Sequence, residues 1–237
     1  MCGSCGCMTE AGGRGSARTI ALEVDLLADN NVRAAANRDW FRNHGILALN
    51  LLSSPGSGKT TLLTRSLMAL QSDYRLAVIE GDQQTDHDAE RIRATGVSAI
   101  QINTGRGCHL DGVMVSRALD GLRPAGDSIL FIENVGNLVC PAMFDLGEAF
   151  KIVILSVTEG EDKPLKYPDM FHAADLVLLN KIDLLPHVQF NADRCREYML
   201  RIKPGIEMIR ISAQDGTGMG DWYRWLAAAF DERQAAV

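Results

Sequence analysis

The chain of 237 residues has no long apolar run, no surplus of basic residues and few histidines. No segment approaches the roughly 20 apolar residues that a helix needs to cross a bilayer. Lys and Arg number 24 against 30 Asp and Glu, a net charge of −6. That balance gives no electrostatic footprint for nucleic acid or for an anionic membrane surface. The first residues, MCGSCGCMTEAGGRGSAR, lack the apolar stretch of a secretory signal, so the expected location is the cytoplasm. The five histidines stand apart, with no two adjacent. Against these absences stand six cysteines, unevenly placed at Cys2, Cys5, Cys7, Cys108, Cys140 and Cys195. A cytosolic chain of this length can build a core without disulfides, and clustered thiols in such a chain favour metal binding or redox work.

Residues 1–18 are rich in Gly, Ser and Cys and carry no hydrophobic period, so they read as a flexible tail ahead of a domain spanning 19–237. Residues 20–43 place Leu22, Leu26, Val32, Ala36 and Trp40 near helical spacing, which predicts one or two helices capping that domain. From residue 46 short apolar runs alternate with helical patterns: ILALNLL, LAVIE, VSAIQIN, SILFIEN, FKIVILSV, DLVLLN and EMIRIS. Continuous apolar runs suit strands covered on both faces. The alternation predicts an α/β chain with a mostly parallel sheet and helices on both faces, which together with the phosphate loop SSPGSGKT, residues 53–60, makes a three-layer P-loop NTPase fold.

SSPGSGKT, residues 53–60, lies between the first predicted strand and a helix. A phosphate loop needs this context, because backbone N–H groups wrap the phosphates and the helix N-terminus adds positive potential. Gly56, Ser57, Gly58, Lys59, Thr60 and Thr61 form the expected cradle. Lys59 is expected to reach the β- and γ-phosphates and Thr60 to ligate Mg²⁺. Ser53 stands where the full pattern begins with Gly.

NKID, residues 180–183, follows the strand DLVLLN. Guanine presents two N–H donors on one edge, and the Asp183 carboxylate can accept both. Adenine offers no such pair. Asn180 is expected to brace the loops and the stem of Lys181 to cover the base. Ser212 and Ala213 open SAQDG after the last strand, where a backbone N–H near Ala213 can serve guanine O6. Glu133 opens ENVG, residues 133–136, after the strand SILFI, as the acidic residue of a γ-phosphate-sensing loop. Asp82, at the end of LAVIEGD, is a candidate for holding Mg²⁺ or orienting the attacking water. Lys59, Asp82 and Glu133 are thus the expected catalytic group, with Thr60, Asp82 and Glu133 around Mg²⁺.

The remaining residues with chemistry are thiols. Cys108 and His109 are adjacent, and Cys140 follows ENVGN. Two thiolates and an imidazole suit Zn²⁺ or Ni²⁺. Buried packing is an equally good reading of such cysteines, and for Cys195 it is the better one. Cys2, Cys5 and Cys7, with the terminal amine, can converge on one ion without any fold.

Taken together, SSPGSGKTTLL, EGDQQTDHDAERI, GRGCHLD, ENVGNLVCP, VTEGEDKPLKYP, NKIDLLP and SAQDGTGM resemble the HypB family, the nickel-insertion GTPases of hydrogenase maturation. The resemblance runs from about residue 20 to the end of the chain, and Cys2-x-x-Cys5-x-Cys7 is similar to the N-terminal nickel motif of some members. It implies a homodimer promoted by GTP, binding GTP and GDP with Mg²⁺. It also implies delivery of Ni²⁺ to the large subunit of [NiFe] hydrogenase with a HypA-type metallochaperone. Cys108, His109 and Cys140 would be completed across the dimer interface, holding Ni²⁺ or Zn²⁺. The histidine-rich segment of some members is absent, which argues against nickel storage. A nickel GTPase of the urease-maturation type and a metal buffer with weak nucleotide binding are the alternatives.

Overall fold

A computed structural model describes residues 13–82, 87–105 and 107–235. The expected tail ligands Cys2, Cys5 and Cys7 lie outside the described residues. Seven strands form the sheet: β1 (Leu47–Ser53), β2 (Arg75–Asp82), β3 (Ser98–Asn103), β4 (Ser128–Glu133), β5 (Phe150–Ser156), β6 (Leu176–Asn180) and β7 (Glu207–Arg210). Their order is β3-β2-β4-β1-β5-β6-β7, and every pair is parallel. The helices are α1 (Gly13–Asn43), α2 (Lys59–Leu70), α3 (His87–Arg93), α4 (Gly112–Leu122), α5 (Cys140–Met143), α6 (Lys163–Lys166), α7 (Pro168–Ala173), α8 (Ala192–Ile202) and α9 (Met219–Ala235). A 3₁₀ turn spans Ile182–His187.

The expected three layers follow from alternation along the central strands. On β1, Leu47, Leu49 and Leu51 pack with Leu62, Leu63 and Leu67 of α2 and Trp222 and Leu226 of α9. Ala48 faces the other way, among Phe41 of α1 and Val115 and Ala118 of α4. Further along that second face, Val153, Leu155 and Val177 meet α7 and α8 through Phe171 and Met199. All seven residues of β1 are buried, as a strand covered on both faces requires.

The N-terminal helix is one element of 31 residues, beginning at Gly13. It is longer than the periodicity alone predicts, because residues 16–44 contain neither Gly nor Pro to interrupt it. It ends at Asn43, just before Gly45, which takes φ 64° where a Cβ would clash with the Asp127 carboxylate. Among the described residues, no helix is long and apolar enough to cross a membrane.

Candidate functional site: a phosphate cleft and a thiol–imidazole cluster

The C-terminal ends of the parallel strands carry the loops singled out by the sequence. In open α/β sheets that edge is where ligands bind. Residues 54–58 link β1 to α2, with Gly56 at φ 74° and Gly58 at φ 92°. Helices α4 and α8 are capped by side chains, Asp111 accepting from Met114 N and Asn191 from Arg194 N. Gly58 gives α2 no side-chain cap, leaving its first-turn N–H groups directed at the loop.

Two of the predicted catalytic residues meet there. Lys59 Nζ lies 3.3 Å from Glu133 Oε1, and Thr60 Oγ1 donates to the same oxygen at 2.8 Å. Glu133 Oε2 and Ser57 Oγ are buried without a hydrogen-bond partner. Buried polar groups are normally satisfied, so these two atoms point to a missing ligand. The β2–β4 register sets Glu80 beside Glu133, and Asp82 ends β2 on the same rim. Lys59, Thr60, Thr61, Glu133, Gly136 and Asp82 line one cleft of about 530 Å³. A Cβ on Gly136 would sit 3.1 Å from the backbone of Pro55, so the ENVG loop lies directly against the phosphate loop. Glu80 and Arg91 also line this cleft, and Arg91 Nη2 donates to Thr61 Oγ1 at 3.2 Å. Both lie within EGDQQTDHDAERI, residues 80–92, but neither was singled out as a site residue.

The base-side residues are joined to the same loop. Asn180 is buried, donating Nδ2 to Ser57 O at 2.9 Å and accepting Ala213 N at Oδ1, 3.0 Å. Asn180 therefore braces both loops, and a guanine O6 at the Ala213 N–H would have to share it. Lys181, at φ 62°, donates Nζ to Gly56 O at 2.6 Å. Ser212 closes its turn by accepting Asp215 N at Oγ. Asp183 Oδ1 is buried without a partner. Arg65, on α2, donates to the carbonyls of Ala213 and Gln214 at 2.9 and 2.8 Å, a support whose partners lie some 148 residues along the chain.

The thiols converge as well. Cys108 and His109 lie between β3 and α4, Cys140 begins α5, and their ligand atoms all fall within 4.8 Å of one another. Cys108 Sγ is 3.6 Å from His109 Nδ1. The His109 ring stacks on Phe144 at 3.8 Å, which fixes its plane. The hydrogen bond with Cys140 and then burial push the Cys108 thiol up, while burial pushes His109 down. The neutral imidazole is ready to bind a cation, whereas a thiol held in its protonated form must lose its proton as it binds, so metal ligation here is coupled to proton release. Cys108 and Cys140 are half-buried, whereas Cys195 is fully buried and pushed up to about 12 by burial, an inert packing residue. The neighbours of Cys140, Val139 and Met143, are each 55% exposed.

Residues 47–210 match the family "CobW/HypB/UreG, nucleotide-binding domain". The chain is similar to the hydrogenase maturation factor HypB of Azotobacter vinelandii, with 62% identity over 91% of this chain and 71% of that protein. The corresponding factor of Escherichia coli (strain K12) is 57% identical over 92% of this chain and 75% of its own length. Among solved structures, HypB from Helicobacter pylori in complex with nickel superposes with a TM-score of 0.82 at 41% identity, covering 87% of this chain and 97% of that one. A chain with this phosphate cleft and this thiol–imidazole cluster, so matched along most of its length, belongs to the CobW/HypB/UreG nucleotide-binding family and, within it, to the HypB hydrogenase maturation factors.

Proposed function

We propose that the protein hydrolyses GTP and uses the cycle to gate a metal cargo, Ni²⁺, destined for the large subunit of [NiFe] hydrogenase. The observation that carries this reading is a continuity of chain. Glu133, bonded to the phosphate loop through Thr60 and Lys59, opens the loop that ends in Cys140, a member of the thiol–imidazole cluster. Lys59 and the N–H groups of α2 hold the phosphates. Asp183, with its partnerless buried oxygen, selects guanine. Thr60, Asp82 and Glu133 offer the hard oxygen donors that Mg²⁺ prefers, and the unsatisfied Glu133 Oε2 supports the fit. When bound, Mg²⁺ neutralises charge on the β- and γ-phosphates.

Cys108, His109 and Cys140 supply three donors, one short of a four-coordinate set. A second copy completes it, and the exposed Val139 and Met143 beside Cys140 supply apolar surface for that contact. Square-planar coordination would suit Ni²⁺ and tetrahedral coordination Zn²⁺. Cys2, Cys5 and Cys7 form a separate Ni²⁺ site, and a HypA-type metallochaperone exchanges metal with the dimer in the cytoplasm. The test is GTP turnover and Ni²⁺ binding measured on one preparation, with and without Cys108→Ser. Turnover that ignores Ni²⁺, with Ni²⁺ affinity unaffected by the substitution, would leave a nucleotide hydrolase whose cluster at Cys108, His109 and Cys140 has no metal function.

A further inference from the structure

Between the two sites runs a set of buried amides. Asn134, next to Glu133 and 1% exposed, accepts Leu110 N at Oδ1, 3.1 Å, and donates Nδ2 to Asn50 Oδ1 in β1 at 3.2 Å. Asn50 donates to Glu148 Oε1 at 3.1 Å, and Glu148 Oε2 accepts Leu146 N at 2.6 Å. Leu146 O accepts Asn37 Nδ2 of α1 at 3.0 Å, and the same Nδ2 donates to Gly112 O at 2.9 Å. The circuit thus closes on the segment that carries Cys108 and His109. Three residues beyond Asn134, Asn137 donates Nδ2 to Cys108 O at 3.2 Å and accepts Val139 N at Oδ1, 2.9 Å. The loop leading to Cys140 therefore grips the opposite arm of the cluster at two points, Leu110 N and Cys108 O. The far side of that arm is fixed to the framework: Asn37 holds Gly112 O and Asn30 Oδ1 accepts Gly112 N at 2.8 Å.

We propose that Asn134 and Asn137 are positioning residues that bind the Cys108–His109 arm to the phosphate-sensing loop, so that a change at Glu133–Gly136 moves both arms of the cluster together. This rests on the reading of the cluster as a metal site. Without these joints only Cys140 would follow the nucleotide. With them, Cys108 and His109 follow too, and the geometry offered to a cation depends on nucleotide state through all three donors. Linkage then requires the metal to alter nucleotide affinity by the same factor. A purely structural role would weaken metal binding equally in both nucleotide states. A coupling role changes the ratio between them.

The experiment measures Ni²⁺ affinity by thiolate charge-transfer absorption, on the full chain with Cys2, Cys5 and Cys7 changed to Ser, loaded with GDP or with a non-hydrolysable GTP analogue. Asn137→Asp keeps the acceptor for Val139 N and removes the donor to Cys108 O. Asn134→Ser shortens the link to Leu110. In the parent protein an allosteric coupling of ordinary size makes the two affinities differ about five- to 150-fold. In each variant the ratio is expected to contract to within about twofold of unity on that scale. Asn37→Ala, which loosens only the framework side, is expected to lower both affinities and keep the ratio. Hydrogen exchange at Leu110 N in the parent, needing no variant, should differ between the two nucleotide states. A parent ratio that persists in both asparagine variants, or that Asn37→Ala abolishes equally, overturns the inference, as does a Leu110 amide indifferent to nucleotide. A parent that binds Ni²⁺ without nucleotide dependence overturns the inference while leaving the metal reading intact. A parent that binds none removes that reading itself.

Discussion

Cys140 stands seven positions after Glu133 along the chain, yet the sites they belong to are built differently. Around Glu133 one chain supplies a cation, hydroxyls, helix N–H groups and carboxylates, with Lys59 and Thr60 held on Glu133 Oε1 and single atoms such as Glu133 Oε2 and Ser57 Oγ left over. Around Cys140 the chain supplies three soft donors on half-buried loops, with apolar Val139 and Met143 turned outward. The first site is preorganised for a ligand that arrives whole. The second is incomplete in one chain, so its strength is set by what approaches it and by the loop behind it.

The largest break of this contrast comes at Lys59. Lys59→Ala removes a preorganised charge at the phosphates, and loss of one such stabilising group lowers turnover about 10²- to 10³-fold. Phosphate release assays should report that fall while Ni²⁺ binding at the cluster persists. Loss of metal along with turnover would show that the two sites are one. Next in size is Cys140→Ser. Removing an outer-shell partner of a metal typically costs about 10- to 100-fold in affinity, and removing a ligand should cost more. Ni²⁺ titration of the chain with Cys2, Cys5 and Cys7 changed to Ser checks this, and an unchanged affinity would assign Cys140 to packing. Asp183→Asn comes third. Loss of a charge-assisted hydrogen bond costs about 1.5–3 kcal/mol. Competition binding should therefore show guanine nucleotides weakened about tenfold or more, with xanthine nucleotides gaining. No shift would move base recognition away from NKID.

The motif-bearing loops were legible because their function is local. A phosphate cradle needs glycines at fixed offsets before a helix, and NKID needs its asparagine and aspartate at a strand end. SSPGSGKT and NKID therefore stand where the sequence put them, at the ends of β1 and β6. The apolar runs also marked all seven strands to within two residues: β1, β4 and β6 are buried along their whole length, while β3 and β7 keep a recognisable run though only partly buried. The supporting residues were not legible. Asn37 meets Gly112 and Leu146, Asn50 meets Glu148, and Arg65 meets Ala213, at separations of 75 to 148 residues. An asparagine within a strand or helix reads locally as a poor former of either. Only the topology shows that its amide satisfies a distant backbone. The short helix α5, with Cys140 at its start, was also hidden, because four residues carry no period.

The smallest effect lies in the clamp between α1 and the arm beyond Cys140. Arg38 Nη2 contacts both carboxylate oxygens of Asp145 at 2.6 and 2.7 Å, and Asp145 Oδ1 also accepts Gly147 N at 2.8 Å. Burial pushes the Asp145 carboxyl up, but the Arg38 and Gly147 hydrogen bonds outweigh it and hold the group below its ordinary value. A depressed carboxylate stabilises the fold fully above its unfolded value, near about 3.9. That contribution disappears as pH falls through the lower folded value. Both side chains are about one-third exposed, so the pair belongs near the top of the range for solvent-accessible ion pairs, about 1 kcal/mol. Arg38→Ala should lower stability by about that amount at neutral pH. The difference between parent and variant should shrink as pH falls through the carboxylate range, as followed by denaturant melts. Because Arg38 holds α1 to Asp145 and lies outside the asparagine joints, the ratio of Ni²⁺ affinities in the two nucleotide states should stay as in the parent. If that ratio collapses, α1 belongs to the moving part of the molecule, and the boundary between its fixed and incomplete regions lies elsewhere.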